Sequence, residues 1–582
     1  RFIKVAFEKS IPKWTLKKKV RIDLYANDVT FRRMEDNLMH LNTKGKNALE
    51  YSLKKRDPKE NKKEKYIDFI DKSLNESQKN AVRNAVNTEN FFLIHGPFGT
   101  GKTRTLVELI QQEVRQSNKV LVTAESNSAV DNILDRLSQN KKLKITRLGH
   151  PQRVSKENIA YSLAYKSENH QLTCKINKNY KRIEQISETR DRFTKPTPQY
   201  RRGFSDSDIL YNASKGKGGR GISSSKMESM ANWLLENEKI SEIHYKIKKL
   251  ENKIVKDIIN SSDIILSTNS TAAIEEIVRT KFNVVIVDEA SQATIPSILI
   301  PLSKARRFIL AGDHKQLPAV VLQSESQSEV CEDCLHNIGL HNLKDSLFER
   351  LYRNSADTTH HLSLITNRSY DMLCRQGRMN VEVARFPNHA FYGGLLEPVG
   401  LQHQQGELTL APGLENDEFA DILVRRVVFL ASVPEVASQS AKINHFEAQL
   451  VARLAAAIYR QYDGTSGFRP ALTLGIITPY RSQIALIKSE IAALGIPCLN
   501  DILVDTVERF QGSERDVIIY SFCVNRTYQL KFLANLTEEG GVWIDRKLNV
   551  ALTRARKQLF MTGVPHLLRQ NPIYADLLDS IF

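Results

Sequence analysis

The sequence contains few cysteines and no long apolar run. Six cysteines in 582 residues are too few for a disulfide scaffold, so we expect a reducing compartment. No apolar run approaches the roughly 18–20 residues that cross a bilayer, which argues against an integral membrane protein. A secretory signal is also missing from the start of the chain, where Arg1 stands in place of Met. We therefore expect a cytoplasmic protein, or a nuclear one in a eukaryote, that is processed at its N-terminus or is a piece of a longer chain.

Three further kinds of fold or site have little support. No short-period internal repeat is visible, so a solenoid is not expected. Cys331 and Cys334 form a CxxC pair with His336 and His341 nearby, but this spacing is not a usual one for zinc, and we expect no zinc there. The sequence also shows no convincing cluster of carboxylates and lysine that would indicate a nuclease.

Basic residues outnumber acidic ones, and the excess lies in the first part of the chain. There are 84 Lys plus Arg against 66 Asp plus Glu, a formal net charge of +18. Residues 1–350 have 61 basic and 43 acidic side chains, whereas residues 351–582 have 23 of each. A basic half indicates a polyanionic partner such as nucleic acid, or only a solvated, lysine-rich surface. The drop in lysine content near residue 351 marks either a domain boundary or a junction between two joined sequences.

The apolar pattern predicts an N-terminal arm followed by two α/β regions. Residues 1–30 alternate as short strands do, residues 28–54 look helical, and residues 53–65 form a charged linker. The strands predicted for the first region are 91–95, 120–124, 264–268, 284–287 and 308–311; for the second region they are 471–478, 517–522 and 559–562, with helices at 443–461 and 481–494. Strands that alternate with helices predict doubly wound domains with parallel sheets.

A helical insertion interrupts the first α/β region. Residues 165–262 contain two stretches whose isoleucines recur at steps of three and four, which puts each set on one helix face and predicts an antiparallel stalk. Between these stretches, residues 200–204 and 215–221 mix arginine, lysine and aromatic side chains with glycines. Such a tip could grip a single nucleic-acid strand by charge and stacking, or it could be a flexible tip that binds nothing.

A phosphate-binding loop follows the first predicted strand. Residues 96–103 read GPFGTGKT and fit GxxxxGK[ST] between a strand and a helix, which is the context that the motif needs. Its glycines let backbone N–H groups turn onto phosphate oxygens, and the helix N-terminus favours negative charge. We expect Lys102 to reach the β- and γ-phosphates and the Thr103 hydroxyl to bind Mg²⁺.

Acidic and basic partners for this loop follow later in the chain. Asp288 and Glu289 emerge at the carboxyl end of an apolar strand, where open sheets bind ligands. We expect Asp288 to hold the Mg²⁺ shell and Glu289 to orient the attacking water and take its proton. Gln316 follows the fifth strand and could contact the γ-phosphate or the water. Arg378 and Arg554 are candidate arginine fingers, although either one alone would more simply form a surface salt bridge.

Ten short motifs occur in a fixed order along the chain. They are LNESQ (74–78), GPFGTGKT (96–103), AESNSAVD (124–131), LSTN (266–269), DEASQ (288–292), AGDHKQLP (311–318), QGRM (376–379), ITPYR (477–481), VDTVERFQGSE (504–514) and LNVALTRA (548–555). Together they resemble superfamily 1 helicases of the nonsense-mediated-decay (Upf-one-like) type, above all the immunoglobulin mu-binding protein subgroup. Ordered motifs over roughly 500 residues are highly specific.

The resemblance implies an α/β fold with two tandem RecA-like P-loop domains. A helical stalk is inserted in the first domain, and an N-terminal arm contains helices and part of a β-barrel. The bounds we expect are 1–73 for the arm, 74–355 for the first domain, 165–262 for the stalk and 356–582 for the second domain.

The resemblance also implies a function. It is that of an ATP-dependent helicase or translocase, a nucleic-acid-dependent ATPase that uses Mg²⁺ and moves 5′ to 3′ along single-stranded DNA or RNA. A monomeric motor without a membrane partner is expected. The alternative is an ATP-gated nucleic-acid clamp or remodeller that hydrolyses ATP without unwinding. A non-motor binding module with a dead nucleotide site is a second alternative.

Roles for single residues follow from the same resemblance. The implied catalytic residues are Lys102, Asp288, Glu289, Gln316, Arg378 and Arg554. The implied nucleotide-binding residues are Gln78, which would read the adenine edge, and Gly96, Gly99, Thr100, Gly101, Lys102, Thr103, Arg104, Gly512 and Glu514; the Mg²⁺ ligands are Thr103 and Asp288. The implied contacts to the nucleic-acid backbone are Ser126, Asn127, Thr268, Asn269, Pro479, Tyr480 and Thr506.

Four positions depart from the family pattern. Phe98 stands where the loop usually has Pro, and Ala319 stands where a second Pro is usual; we expect both to be tolerated. Glu125 replaces a usual Pro and brings a negative charge towards the strand. Gly377 replaces a usual Tyr whose ring would pack on the base, and a glycine cannot stack, so adenine selectivity or affinity is in question.

Overall fold

The structure of the protein is a computed structural model that describes residues 28–58, 66–321, 323, 325–338, 340–357, 369–435, 440–539 and 541–581. The strands predicted for residues 1–27 and most of the predicted linker lie outside these residues. No helix in the described part of the chain is long and apolar enough to cross a membrane.

The first half of the chain builds one sheet and a long helical insertion. Its elements in chain order are α1 (Val29–Met39), α2 (Thr43–Ser52), α3 (Glu76–Asn87), β1 (Phe91–His95), α4 (Lys102–Arg115), β2 (Val120–Ala124), α5 (Asn127–Leu137), β3 (Ile145–Arg147), α6 (Leu163–Glu168), α7 (Thr173–Arg190), α8 (Pro198–Arg201), α9 (Asp206–Ser214), α10 (Ser224–Ser261), β4 (Ile264–Thr268), α11 (Glu275–Val278), β5 (Val284–Asp288), α12 (Ile295–Leu302), β6 (Arg307–Gly312), α13 (Glu325–Ser328), α14 (Asp333–His336), α15 (Leu347–Asp357) and β7 (Tyr370–Met372).

The second half builds a second sheet and its covering helices. Its elements are β8 (Arg375–Gln376), α16 (Val381–Tyr392), β9 (Glu397–Pro398), α17 (Gln402–Gln405), α18 (Ala420–Leu423), β10 (Val427–Ala431), α19 (His445–Asp463), β11 (Leu474–Ile477), α20 (Arg481–Ala493), β12 (Leu503–Asp505), β13 (Arg515–Ser521), α21 (Leu530–Leu533), β14 (Leu536–Glu539), β15 (Val542–Asp545), α22 (Arg546–Leu552), β16 (Ala555–Gly563), α23 (Pro565–Leu568) and α24 (Pro572–Asp579).

The first sheet has seven strands in the order β3-β4-β2-β5-β6-β1-β7, and every pairing is parallel. The five strands that we predicted are all present, and each is almost wholly buried, as parallel strands covered by helices on both faces must be. The strands β5, β6 and β1 are neighbours, so the segments that follow them meet at one carboxyl edge.

The edge strand β7 lies beyond the predicted boundary between residues 355 and 356. It pairs with β1 in parallel, with Leu93 opposite Tyr370, so the sheet of the first domain extends to residue 372. Three residues that read Tyr-Asp-Met form no apolar run, which is why the sequence pattern did not indicate a strand there.

The second sheet has five parallel strands in the order β10-β16-β13-β11-β12. The three strands and two helices predicted in this half are present as β11, β13, β16, α19 and α20. Strands β10 and β12 were not predicted. Because β11 and β12 are neighbours, the loops that follow them also lie side by side.

The insertion forms the predicted antiparallel stalk. Apolar side chains of α7 and α10 make one cluster that includes Ile176, Ile254 and Ile258. At the opposite end of the pair, Arg190 donates a hydrogen bond to Asn237 Oδ1 at 3.2 Å. The C-terminus of α7 therefore lies near the first half of α10, as an antiparallel arrangement requires.

The stalk tip is a folded helical cap with its own small apolar cluster around Ile209. Arg202 and Arg220 each donate a hydrogen bond to the other's backbone oxygen, at 2.9 and 3.1 Å. The guanidinium of Arg220 also lies 4.5 Å from the ring centre of Phe204, and Lys226 Nζ lies 4.1 Å from that of Tyr200. Cations of the protein itself therefore cover one face of each of the two aromatic rings that the sequence offered for base stacking.

The predicted helical segment 28–54 forms α1 and α2, which pack on the first domain. Asn42 caps α2 through its side chain and donates a hydrogen bond to Ser303 O at 2.9 Å. Arg33 donates to Ser270 O at 3.2 Å. These contacts attach the arm to the end of α12 and to the segment after β4.

Candidate nucleotide and nucleic-acid site

The phosphate loop has the backbone that its glycines allow. Gly99 and Gly101 have φ of +67° and +79°, values that side chains with a Cβ adopt at a cost. A Cβ on Gly99 would lie 2.5 Å from Arg378 Cβ, and one on Gly101 would lie 2.5 Å from Gln78 Nε2. The loop is therefore restricted to glycine at both positions, and it leads directly into α4, whose first N–H groups are available to an anion.

Lys102 lies between the two carboxylates that follow β5. Its Nζ is 2.6 Å from Glu289 Oε1 and 3.3 Å from Asp288 Oδ1. Burial alone would lower the pKa of Lys102, but the two carboxylates raise it above its usual value. The ammonium group is therefore fully charged and already compensated, so phosphate oxygens must compete with these carboxylates for it.

Backbone geometry places Glu289 at this position. The residue has a φ of +51°, which turns the chain sharply at the end of β5. Its N–H donates to Asp288 Oδ1 at 2.8 Å, and Gln292 donates to its Oε2 at 2.7 Å. The carboxylate is thus held over the phosphate loop by Gln292 and Lys102.

The segment after β6 centres on Asp313, a residue for which sequence reasoning named no role. His95 Nε2 lies 3.0 Å from Asp313 Oδ1, and Gln316 donates to Asp313 Oδ2 at 2.7 Å. The Oε1 of Gln316 accepts a hydrogen bond from Arg554 at 3.3 Å. Two predicted catalytic residues from different domains, Gln316 and Arg554, therefore touch.

Arg554 is a buried cation with little compensation. It is 2% exposed, and no carboxylate lies within ion-pair distance of it in the described parts of the chain. Burial and the neighbouring charge of Arg378 lower the pKa of Arg554. A buried positive charge of this kind favours an anionic ligand, because such a ligand would compensate it. A surface salt bridge, the simpler alternative for this arginine, does not fit its position.

Arg378 reaches the phosphate loop from the second half of the chain. Its backbone packs against Gly99, and the N–H of Gly377 donates to Gly99 O at 2.9 Å. The guanidinium pairs with Glu514 at 2.6 Å, so part of the salt-bridge alternative holds for this residue. A Cβ on Gly377 would meet only ordinary contacts, at 3.5 Å or more.

The side chain of Gln78 is engaged with the loop in this conformation. It is 4% exposed, donates to Thr100 O at 2.9 Å and accepts from Asn75 N at 3.1 Å. Arg104 pairs with Asp71 at 2.5 Å, and this hydrogen bond lowers the pKa of Asp71 to about 2. Gln78 therefore braces the phosphate loop, whereas Arg104 is paired with the segment ahead of α3.

The predicted nucleic-acid contacts lie at the carboxyl edges of the two sheets. Ser126 and Asn127 follow β2, and Thr268 ends the neighbouring strand β4, opposite Ala124. Pro479 and Tyr480 follow β11, and Thr506 follows the neighbouring β12. Each domain thus brings its predicted contacts together on one edge.

Asn269 differs from the rest of this set. Its side chain is 1% exposed and donates to Glu125 Oε2 at 3.0 Å; Ser297 donates to the same oxygen at 2.7 Å. In this conformation Asn269 orients Glu125 and has no open face for a strand. The carboxylate of Glu125 is therefore held in place by hydrogen bonds from Asn269 and Ser297.

Two protein-family models match the chain, each described as an AAA domain. One covers residues 73–324 and the other residues 343–566. An uncharacterized ATP-dependent helicase of Methanocaldococcus jannaschii is 37% identical over 585 residues, covering 99% of this chain and 81% of that protein. The chain belongs to the superfamily 1 helicases of the nonsense-mediated-decay type. It is an ATP-dependent helicase that binds nucleic acid and hydrolyses ATP, with the two tandem RecA-like domains that the sequence predicts.

Two further relatives refine this placement. DNA polymerase alpha-associated DNA helicase A of Schizosaccharomyces pombe is 30% identical to this chain, and the match covers 92% of this chain and 71% of the length of that helicase. DNA-binding protein SMUBP-2 of Rattus norvegicus is 29% identical, over 95% of this chain and 50% of its own. The helicase thus falls with the immunoglobulin mu-binding protein subgroup, as predicted. An arterivirus nonstructural protein 10 helicase solved with DNA covers 83% of this chain and 62% of its own at 11% identity, but its TM-score of 0.34 is too low to argue from.

Proposed function

We propose that this helicase moves 5′ to 3′ along one strand of nucleic acid as a monomer and converts ATP hydrolysis between its two domains into strand movement. The main support is the contact between Gln316 of the first domain and Arg554 of the second. Both residues would act on the γ-phosphate of ATP, and each comes from a different domain. Binding of that phosphate can therefore bring the two domains together, and its release can let them separate. The direction rests on the family resemblance.

The nucleotide site suits ATP with Mg²⁺. The loop has left-handed backbone at Gly99 and Gly101, which lets N–H groups turn towards phosphate oxygens. Asp288 offers a buried carboxylate oxygen beside Lys102, a hard donor of the kind that Mg²⁺ prefers. Thr103 and Asp288 would hold the ion, which neutralises charge on the β- and γ-phosphates when bound. Lys102 would move from the carboxylates to the phosphates.

Residues of this chain would carry out the remaining steps. Glu289, released from Lys102, would accept the proton of the attacking water. Gln316 would orient that water, and Arg378 and Arg554 would stabilise the charge that builds up in the transition state. These groups lie around the phosphate loop, where the two domains touch.

We infer that the strand lies across the carboxyl edges of both sheets. Ser126, Asn127 and Thr268 of the first domain and Tyr480 and Thr506 of the second would contact its backbone, which carries no base information and lets a motor run on any sequence.

Two relatives are named for DNA, so DNA is the first substrate to test. A DNA and an RNA strand of one sequence should compete for the site at a stated salt concentration, because phosphate contacts do not distinguish them.

Duplexes with single-stranded tails test the movement itself. A duplex with a 5′ tail should be unwound in the presence of ATP, whereas the same duplex with a 3′ tail should stay intact; gel separation of the labelled strand measures both. Glu289→Gln is the control for ATP dependence. ATPase activity that nucleic acid stimulates without strand release would favour the ATP-gated clamp. Unwinding of the duplex with the 3′ tail would show that the motor moves 3′ to 5′.

The stalk tip should contribute charge to binding. Arg202 and Arg220 hold the tip together, so the cations that we expect to meet phosphates are the exposed Lys215 and Lys217. Changing both to Gln should make the slope of log affinity against log salt shallower by up to about 1.4, because each phosphate neutralised on a single strand accounts for ~0.7 of that slope.

Fluorescence anisotropy of a labelled single strand over a salt series measures this slope. The matched control changes the exposed Lys248 and Lys249 of α10 to Gln, which removes the same charge away from the tip. Equal slopes in the tip variant and the wild type would show that the tip binds nothing.

A further inference from the structure

Tyr392 is a buried side chain of the second domain that the ATPase mechanism above does not use. It ends α16 and is 2% exposed. Its ring packs edge-on against Phe98 of the phosphate loop, with ring centres 5.5 Å apart. Phe98 itself is 2% exposed and belongs to an apolar cluster otherwise made largely by the second domain. One aromatic side chain thus meets the loop that holds the phosphates.

The hydroxyl of the same side chain reaches the segment after β6. It donates a hydrogen bond to Asp313 Oδ2 at 2.7 Å and accepts one from Asn549 Nδ2 at 2.9 Å. Asn549 also donates to Lys315 O at 2.7 Å. Burial and the Asp313 carboxylate raise the pKa of Tyr392 well above its usual value, so the hydroxyl remains a proton donor.

Among the described residues, Asp313 has four donors, two on each carboxylate oxygen. Oδ1 accepts from His95 at 3.0 Å and from Lys315 N at 3.1 Å, whereas Oδ2 accepts from Gln316 and Tyr392, both at 2.7 Å. Burial alone would raise the pKa of Asp313, but hydrogen bonds from His95 and Tyr392 lower it well below its usual value. The carboxylate is therefore ionised, and its orientation depends on all of its donors.

We propose that Tyr392 is a positioning residue that links domain closure to catalysis by orienting Gln316 through Asp313. The amide of Gln316 is fixed at both ends, at Nε2 by Asp313 and at Oε1 by Arg554. Tyr392 comes from the second domain and Asp313 from the first, so this hydrogen bond would break if the domains separated. When the domains separate, Asp313 loses this donor and Gln316 loses Arg554 at the same time. The inference rests on the proposed role of Gln316 in orienting water.

Tyr392→Phe removes only the hydroxyl and keeps the ring against Phe98. With nucleic acid and ATP saturating, kcat should fall about tenfold, as expected for loss of a hydrogen bond to a buried carboxylate. The KM for ATP should change less than about twofold, because no phosphate contact is touched. The matched control is Tyr574→Phe, which removes another fully buried Tyr–Asp hydrogen bond of 2.7 Å, to Asp545 within the second domain.

The control separates positioning from stability. Both variants should lower the midpoint of thermal unfolding by a similar amount, but only Tyr392→Phe should lower kcat. Equal losses of kcat in the two variants, or a wild-type kcat in Tyr392→Phe, would overturn the proposal.

A double-mutant cycle tests the route through Gln316. Gln316→Ala should lower kcat strongly in the wild type and clearly less in the Tyr392→Phe background, because the orientation it removes is already lost. Effects that multiply would overturn the coupling. A wild-type kcat in Gln316→Ala alone would instead overturn the proposed role of Gln316 and, with it, the route assigned to Tyr392.

Discussion

Glu289→Gln is expected to lower the kcat of ATP hydrolysis by roughly 10²–10⁴-fold, the range that loss of a general base gives. The amide keeps the shape of the carboxylate and its hydrogen bond with Gln292, but it cannot take a proton from water. Glu289 also holds Lys102 Nζ at 2.6 Å. The variant frees that ammonium for phosphate, so ATP should bind at least as tightly as it binds to the wild type.

Steady-state ATPase rates with saturating single strand and equilibrium binding of a fluorescent ATP analogue measure the two quantities. Lys102→Ala should behave differently, because it removes the phosphate contact itself and should weaken binding as well as turnover. Glu276→Gln, a change at an exposed carboxylate on α11, is the control and should leave both unchanged. Wild-type turnover in Glu289→Gln would assign the base to another residue.

The sequence predicts the half of this site that is built from short local patterns. The phosphate loop is eight consecutive residues, and Asp288 and Glu289 directly follow a strand of four apolar residues. Parallel sheets place such strand ends on one edge, so the meeting of loop and carboxylates follows from local patterns. The structure shows that meeting, with Lys102 between Asp288 and Glu289.

Contacts between the two domains could not be read in the same way. Gln316 and Arg554 are 238 positions apart, and no periodicity links residues at such a separation. Motif resemblance named both residues, but only the fold brings them together. Tyr392 escaped notice because an aromatic residue at the end of an amphipathic helix is typical of an ordinary core position.

The hydrogen-bond partners of individual side chains could not be predicted from the sequence either. Gln78 and Asn269 are predicted to face the nucleotide and the strand; in this conformation each is buried and hydrogen-bonded within its own domain. Residues 200–204 and 215–221 indicated a basic tip, but residue types alone do not show that Arg202 and Arg220 bond to each other's backbone. Whether a side chain is free to contact a ligand depends on its hydrogen bonds in the folded protein, and composition gives no information on these.

Arg554→Ala is expected to lower kcat by about 10³–10⁵-fold, the effect of removing an arginine finger. Its guanidinium is buried, touches Gln316 and lacks a carboxylate partner in the described residues, so the γ-phosphate of ATP is the charge that would compensate it. Arg554→Lys should recover only part of the rate, because an ammonium group keeps the charge without the planar fork of donors. Arg453→Ala, which breaks an exposed ion pair with Glu418, should leave the rate unchanged.

Ligand affinities separate a role in the transition state from a role in binding. An interaction made mainly in the transition state contributes little to ATP affinity and much to the affinity for a mimic of that state. Arg554→Ala should therefore bind ATP nearly as well as the wild type does but lose most of its affinity for ADP with aluminium fluoride, and calorimetry of both ligands measures the difference. If both affinities fell equally, Arg554 would be an ordinary phosphate-binding residue. If neither fell and kcat stayed high, the buried charge would serve only the contact between the domains.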